Sequence, residues 1–246
     1  MTDTRFKNIV LVTGASSGIG LATARKYMKE GYTVWGLDKE ESSDSGFPII
    51  CCDLSDSESI KHAFCEIGAH CESIKYLINC AGIFLWETRN EIRDMELNEW
   101  NAVLQTNLTG MMLVTKEAFP YLKQGDGDKA IINISSDQSS FPRRKNAAYA
   151  VSKGGVVTFS KACAVEMLEY GIRVNTVATA SVRTNFIDKL AGDLETIKMI
   201  YERENARMPL GVIEPEDVAE TIYHLGSDLS RKITGQEILI NSGLYL

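Results

Sequence analysis

Tyr149 and Lys153 stand four residues apart, which sets a phenol and an ammonium on one face of a helix, a turn from each other. An unperturbed tyrosine titrates near ~10, too high for proton exchange at neutral pH. A cation beside it favours the phenolate and brings that value toward the working range. Ser136 precedes Tyr149 by thirteen positions, and a serine hydroxyl delivered from a strand end can hold the oxygen that gains or loses the proton. Exposed helices often carry Tyr-x-x-x-Lys, so the weight of this set comes from the elements around it.

Those elements alternate. Short apolar runs are separated by longer helical patterns, the signature of βαβ units in a three-layer α/β/α fold with a doubly wound, mostly parallel sheet. Strands are expected at Asn8–Thr13, Tyr32–Leu37, Pro48–Cys52, Ile74–Asn79, Ala130–Ser135, Ile172–Ala178 and Glu237–Ile240. Helices are expected from the glycine-rich turn to Lys29, then over Ser57–Gly68, Asn98–Tyr121, Ala147–Tyr170 and Pro215–Gly226. The segment Ser181–Met208 reads as polar and helical in parts. No repeat, low-complexity run or linker divides the 246 residues, so one domain over 1–246 is expected.

Thr13-Gly14-Ala15-Ser16-Ser17-Gly18-Ile19-Gly20 joins the first strand to the first helix. Glycine allows the tight turn and a close main-chain approach to a pyrophosphate, while the helix N-terminus offers free N–H groups and partial positive charge. Asp38 ends the second strand eighteen positions beyond Gly20. A carboxylate there accepts both adenosine ribose hydroxyls and repels a 2′-phosphate, which favours NAD over NADP. Lys39 beside it offsets part of that repulsion.

Together these features resemble the short-chain dehydrogenase/reductase family over essentially the whole chain. The resemblance rests on the Thr13–Gly20 loop, Asp53-Leu54 after the third strand, Asn79-Cys80-Ala81-Gly82 after the fourth, Asn107, and the set Ser136, Tyr149 and Lys153. It implies that Tyr149 exchanges a proton with a carbonyl or alcohol oxygen. Lys153 lowers the tyrosine pKa and binds the nicotinamide ribose, and Ser136 holds the substrate oxygen. Asn107 is implied to bend its helix, its main chain binding a water that links Lys153 to solvent. The cofactor contacts implied are Gly14, Ser16, Ser17, Gly18, Ile19, Gly20, Asp38, Asp53, Leu54, Asn79, Ala81, Gly82, Tyr149, Lys153, Val182 and Thr184. Hydride passes directly between nicotinamide and substrate, so no metal is required. A homotetramer or homodimer is also implied, with the helices over Asn98–Tyr121 and Ala147–Tyr170 in one interface.

Three departures from the family pattern stand out. Ala178-Thr179-Ala180-Ser181 replaces the usual Pro-Gly after the sixth strand, Cys80 replaces Asn or Ala, and Asn241-Ser242-Gly243 replaces Asp-Gly-Gly. Packing is favoured over redox sensing for Cys80, and the altered C-terminal turn is expected to bear on subunit contacts.

Substrate selection is expected from two segments. Asp137, Gln138, Ser139 and Ser140 follow the serine, and with Ser136, Gln138 and Tyr149 facing the substrate they suit a small hydroxylated or sugar-like alcohol or ketone. The run Arg143-Arg144-Lys145 reads first as a solvated loop or intersubunit ion pairs, and second as a carboxylate or phosphate site. The second segment holds Phe186, Ile187, Leu190, Leu194, Ile197, Met199 and Ile200 and reads as a lid or as an amphipathic helix pair. Two alternatives remain: an NADP-linked reductase of 3-oxoacyl carrier conjugates, and a nucleotide-binding regulator without catalysis. A net charge of −7 argues against nucleic acid as a partner. No run is long and apolar enough for a membrane span, and the N-terminus carries no apolar leader region. The six cysteines (Cys51, Cys52, Cys65, Cys71, Cys80 and Cys163) show no paired or zinc-like spacing. A reducing cytoplasm is the expected setting.

Overall fold

The computed structural model describes residues 5–40, 45–85, 90–184 and 193–246. Seven strands form one parallel sheet in the order β3-β2-β1-β4-β5-β6-β7. They are β1 (Ile9–Thr13), β2 (Val34–Asp38), β3 (Ile49–Cys51), β4 (Ile74–Asn79), β5 (Lys129–Ser136), β6 (Ile172–Thr179) and β7 (Glu237–Ile240).

The sheet is Rossmann-like because its central strands are apolar on both faces. Along β1, Ile9 and Leu11 join one buried cluster while Val10 and Val12 join another, as a period of two requires. The first cluster is completed by α2 (Ser57–His70), α4 (Met111–Gln124) and α5 (Ala147–Glu166). The second is completed by α1 (Gly18–Lys29) and α7 (Pro215–Gly226), which pack against each other. Strand order reverses between β1 and β4, and a crevice opens at such a switch point beyond the strand C-termini.

The long helix expected over Asn98–Tyr121 is divided. α3 (Leu97–Leu104) runs into a π-helical turn at Gln105–Gly110 before α4 begins. Each residue of that turn reaches one position further for its hydrogen bond, so the helix bends at Asn107. Pro120 lies inside α4, near its end. The helix expected to reach Tyr170 ends at Glu166; a 3-10 turn at Leu168–Tyr170 and Gly171, at φ 67°, lead into β6. In the Ser181–Met208 segment α6 covers Leu194–Arg207, with Asp193 capping it through Glu195 and Thr196 N–H groups. Phe186, Ile187 and Leu190 lie outside the described residues. No described helix is long and apolar enough to cross a membrane.

Candidate active site at the strand C-termini

The β1–α1 turn is built on contact with the strand beside it. Gly14 sits at φ 68°, and a Cβ there would lie 2.9 Å from the Ala81 Cα. At Gly20 a Cβ would come within 2.0 Å of the Gly14 carbonyl oxygen, so the helix can start against the turn only as glycine. Ser17 caps α1 without a side-chain hydrogen bond, and no acidic residue occupies the first turn. That leaves the helix N-terminus facing a cleft of about 1150 Å³ with its positive end uncompensated. The cradle therefore fits the pyrophosphate of a dinucleotide.

Gly14, Ser16, Ser17, Gly18, Ile19, Gly20, Asp38, Asp53, Leu54, Ala81, Gly82, Ser136, Gln138, Tyr149, Lys153, Val182 and Thr184 all line this cleft. Asp38 Oδ2 accepts from the Ser16 backbone N–H at 2.9 Å and the Ser16 hydroxyl at 2.7 Å. Lys39 turns away from Asp38 and donates to Asp53 Oδ2 at 2.7 Å, which holds the Asp53 carboxyl down at about 2 with help from Ser55. The cation beside the strand end is thus engaged by a second carboxylate.

Two expected site residues lie behind the cleft wall. Asn79 is buried and donates to Asn133 Oδ1 at 2.8 Å and Thr115 Oγ1 at 3.3 Å, tying the end of β4 to β5 and α4. Asn107 is 1% exposed; its Oδ1 accepts from the Ile83 N–H at 2.7 Å and its Nδ2 donates to the Ile83 carbonyl at 2.9 Å. The same Nδ2 reaches Ser152 Oγ at 3.2 Å. Its side chain thus ties the segment after β4 to α5, one residue from Lys153.

Ser136 ends β5 and is 5% exposed; Tyr149 and Lys153 come from the first two turns of α5. Lys153 Nζ donates to the Ile134 carbonyl at 2.9 Å and lies 5.7 Å from the centre of the Tyr149 ring. Burial pulls Lys153 down from 10.5 to about 8. Burial likewise pushes Tyr149 up to about 12, against a hydrogen bond from Ser136 that pulls it down. Burial is thus the largest influence on Tyr149 in the protein alone, and the expected lowering by Lys153 is not among those that act on it. Cys80, at the base of the cleft, is pushed up to about 12 by burial, as a packed neutral thiol would be.

The cationic run is solvated at Arg144 and Lys145, as expected, but Arg143 is drawn inward. Arg143 Nη2 donates to the buried Asp137 carboxylate at 2.8 Å, and Arg144 pairs with Glu91. Gln138 and Asn146, both buried, are joined by a 2.8 Å bond from Asn146 Nδ2 to Gln138 Oε1. Asn146 Oδ1 has no partner. Sequence reasoning missed Asn146, whose only signal was a polar residue three positions before Tyr149.

Thr179 and Ala180, in place of Pro-Gly, are held by the sheet: the Ala180 N–H donates to the Ile240 carbonyl at 2.9 Å. Val182 bridges Ile213, and Thr184 comes against Gly18, so both remain at the cleft despite the departure. From α6, Thr196, Ile200, Arg203 and Glu204 form the outer wall.

Comparison with known proteins agrees with this geometry. A family model described as enoyl-(acyl carrier protein) reductase matches residues 14–245. A 3-oxoacyl-(acyl-carrier-protein) reductase of Thermotoga maritima is 35% identical, covering 97% of this chain and 98% of its own. The Staphylococcus aureus protein of the same name is 33% identical, covering 96% and 97%. The ligand-free aldohexose dehydrogenase structure of Thermoplasma acidophilum is 30% identical and superposes with a TM-score of 0.90, covering 99% of this chain and 95% of that one.

Proposed function

The chain belongs to the short-chain dehydrogenase/reductase family of NAD(P)-dependent oxidoreductases, and from that premise we propose that it transfers hydride between NAD and a small polar, sugar-like secondary alcohol or its ketone. The observation that carries the cofactor preference is Asp38, a carboxylate lining the cleft whose neighbour in sequence, Lys39, is committed to Asp53. The buried Gln138–Asn146 amide pair next to Ser136 supports a hydroxylated substrate, since a substrate hydroxyl would satisfy the orphaned Asn146 oxygen.

When bound, the cofactor supplies or accepts the hydride and, oxidised, brings a positively charged ring. Tyr149 gives its proton to the carbonyl oxygen in reduction and takes it from the alcohol in oxidation. Ser136 holds that oxygen, and Lys153 binds ribose hydroxyls and stabilises the phenolate. The loop of Gly14, Ser16, Ser17, Gly18, Ile19 and Gly20 receives the pyrophosphate. Asp38 takes the adenosine ribose, Asp53 and Leu54 the adenine, and Ala81, Gly82, Val182 and Thr184 the nicotinamide end. Asn79 and Asn107 act from behind, by holding the strand end and the helix bend that set these positions. Exposed Met112 on α4 and Val151 and Val165 on α5 support assembly of two or four copies through those helices.

A second reading, reduction of a 3-oxoacyl carrier conjugate, is favoured by the named activity of the two bacterial relatives. Initial rates with NAD and NADP across alcohols, sugars and 3-oxoacyl thioesters separate the two. Faster NAD reduction with polyols or sugars is the expected result; NADPH-linked thioester reduction alone would replace the first reading with the second.

A further inference from the structure

Asp137 follows Ser136 directly, is 2% exposed, and collects side-chain donors from three parts of the chain. Its Oδ1 accepts from Ser136 Oγ at 3.0 Å, while Oδ2 accepts from Arg143 Nη2 at 2.8 Å and Tyr245 Oη at 2.7 Å. Tyr245 is the penultimate residue. It is returned to the site by the turn after β7, where Ser242 and Gly243 adopt φ of 50° and 80°. Its ring stacks on Phe141 at 4.0 Å with 17° between the planes. The C-terminal departure Asn241-Ser242-Gly243 thus has a consequence inside the subunit.

A carboxylate beside a phenol that must ionise opposes the ionisation, and a guanidinium beside the same carboxylate opposes the carboxylate's effect. Asp137 and Arg143 act on Tyr149 in those opposite senses. The Ser136 hydroxyl is shared among Asp137, to which it donates at 3.0 Å, the Gln138 N–H, from which it accepts at 3.2 Å, and Tyr149, whose ionisation its hydrogen bond favours.

We propose that Arg143 and Tyr245 are positioning residues for the reaction: they fix the Asp137 carboxylate against the Ser136 hydroxyl and offset its charge at Tyr149, making the C-terminal residues part of the catalytic centre. This rests on Tyr149 being the proton-exchanging group. Among the described residues, the other charged groups facing the cluster and Tyr149 are Lys153 from α5, 5.7 Å from the Tyr149 ring, Glu204 from α6, which acts on Arg143, and Glu237 of β7, bonded to Ser139.

The test follows Tyr149 ionisation directly, as the difference in alkaline ultraviolet absorbance between each protein and its Tyr149→Phe counterpart, with NAD saturating. Arg143→Met is expected to move this titration up by about one pH unit. Asp137→Asn should move it down, and Arg143→Lys should restore most of the unmodified value. Tyr245→Phe should shift it upward by less than Arg143→Met. Melting temperatures measured alongside separate folding defects from electrostatic ones. If both charge-removing variants shift the titration in the same direction, or neither shifts it while both lower the melting temperature, the positioning role is overturned. Loss of turnover in Tyr149→Phe reports separately on the underlying reading: retained turnover would sink that reading whatever the titration does.

Discussion

Ser16 and Asp38 are joined twice, through the serine N–H and its hydroxyl, so the glycine-rich turn and the carboxylate proposed to read the adenosine ribose form one unit. A phosphate on the adenosine ribose would have to displace this unit or lie against an anion. Hydrogen bonds to a charged acceptor contribute about 1.5–3 kcal/mol, and each ~1.4 kcal/mol is tenfold. Asp38→Asn is therefore expected to lower kcat/KM with NAD by about 10- to 100-fold while leaving NADP unchanged or improved. Steady-state kinetics with both cofactors measure this; an unchanged ratio would remove Asp38 from cofactor selection.

Tyr149→Phe removes one oxygen and keeps the ring, which packs edge-on against Phe84 at 4.9 Å. Turnover is expected to fall by about 10²- to 10⁴-fold, the usual worth of a positioned acid–base group. NAD affinity by fluorescence quenching should stay within a few-fold of the unmodified protein, because the pyrophosphate and adenosine contacts are untouched.

Asn107 is expected to matter for stability before chemistry. Its side chain satisfies both backbone groups of the half-buried Ile83 and reaches Ser152 behind the cleft wall. Asn107→Ala orphans those groups, and each unsatisfied buried partner costs about 1–3 kcal/mol. A total of roughly 2–4 kcal/mol, at about 2–4 °C per kcal/mol for a chain of this size, lowers the melting temperature by about 4–16 °C. A drop of less than about 2 °C would show that the π-helical turn is held by other contacts.

The sheet and its helices were legible because apolar periodicity is strong where both faces are covered, as along Ile9–Thr13 and Ile74–Asn79. The π-helical turn was foreshadowed only by the family resemblance, which implies a bend at Asn107; periodicity alone reads Gln105 to Gly110 as ordinary helix. Spacing placed Ser136, Tyr149 and Lys153 in the cleft but could not show the burial that pushes the tyrosine up, because desolvation is a property of the folded surroundings. Asn79 kept its family position while its side chain points into the core. Arg143 looked like a surface cation because its partner, Asp137, is buried by a tail more than a hundred residues away.

Lys153 gives a final expectation in which function opposes stability. Its ordinary value of 10.5 falls to about 8 on folding, chiefly through burial. Between about pH 8 and 10.5 the unfolded chain therefore holds a proton that the folded chain lacks, and stability rises with pH across that window. Below about pH 8 both states are charged and the full cost of burying the ammonium is present. At ~1.36 kcal/mol per pH unit that cost is roughly 3 kcal/mol, against about 1 kcal/mol for the bond to the Ile134 carbonyl. Lys153→Met should accordingly be inactive yet more stable than the unmodified protein by about 1–2 kcal/mol at pH 7, with the advantage gone by pH ~10.5. Urea unfolding of both proteins at the two pH values measures this. A methionine variant less stable at pH 7 would mean that the ammonium is stabilised in the folded site by interactions stronger than its desolvation.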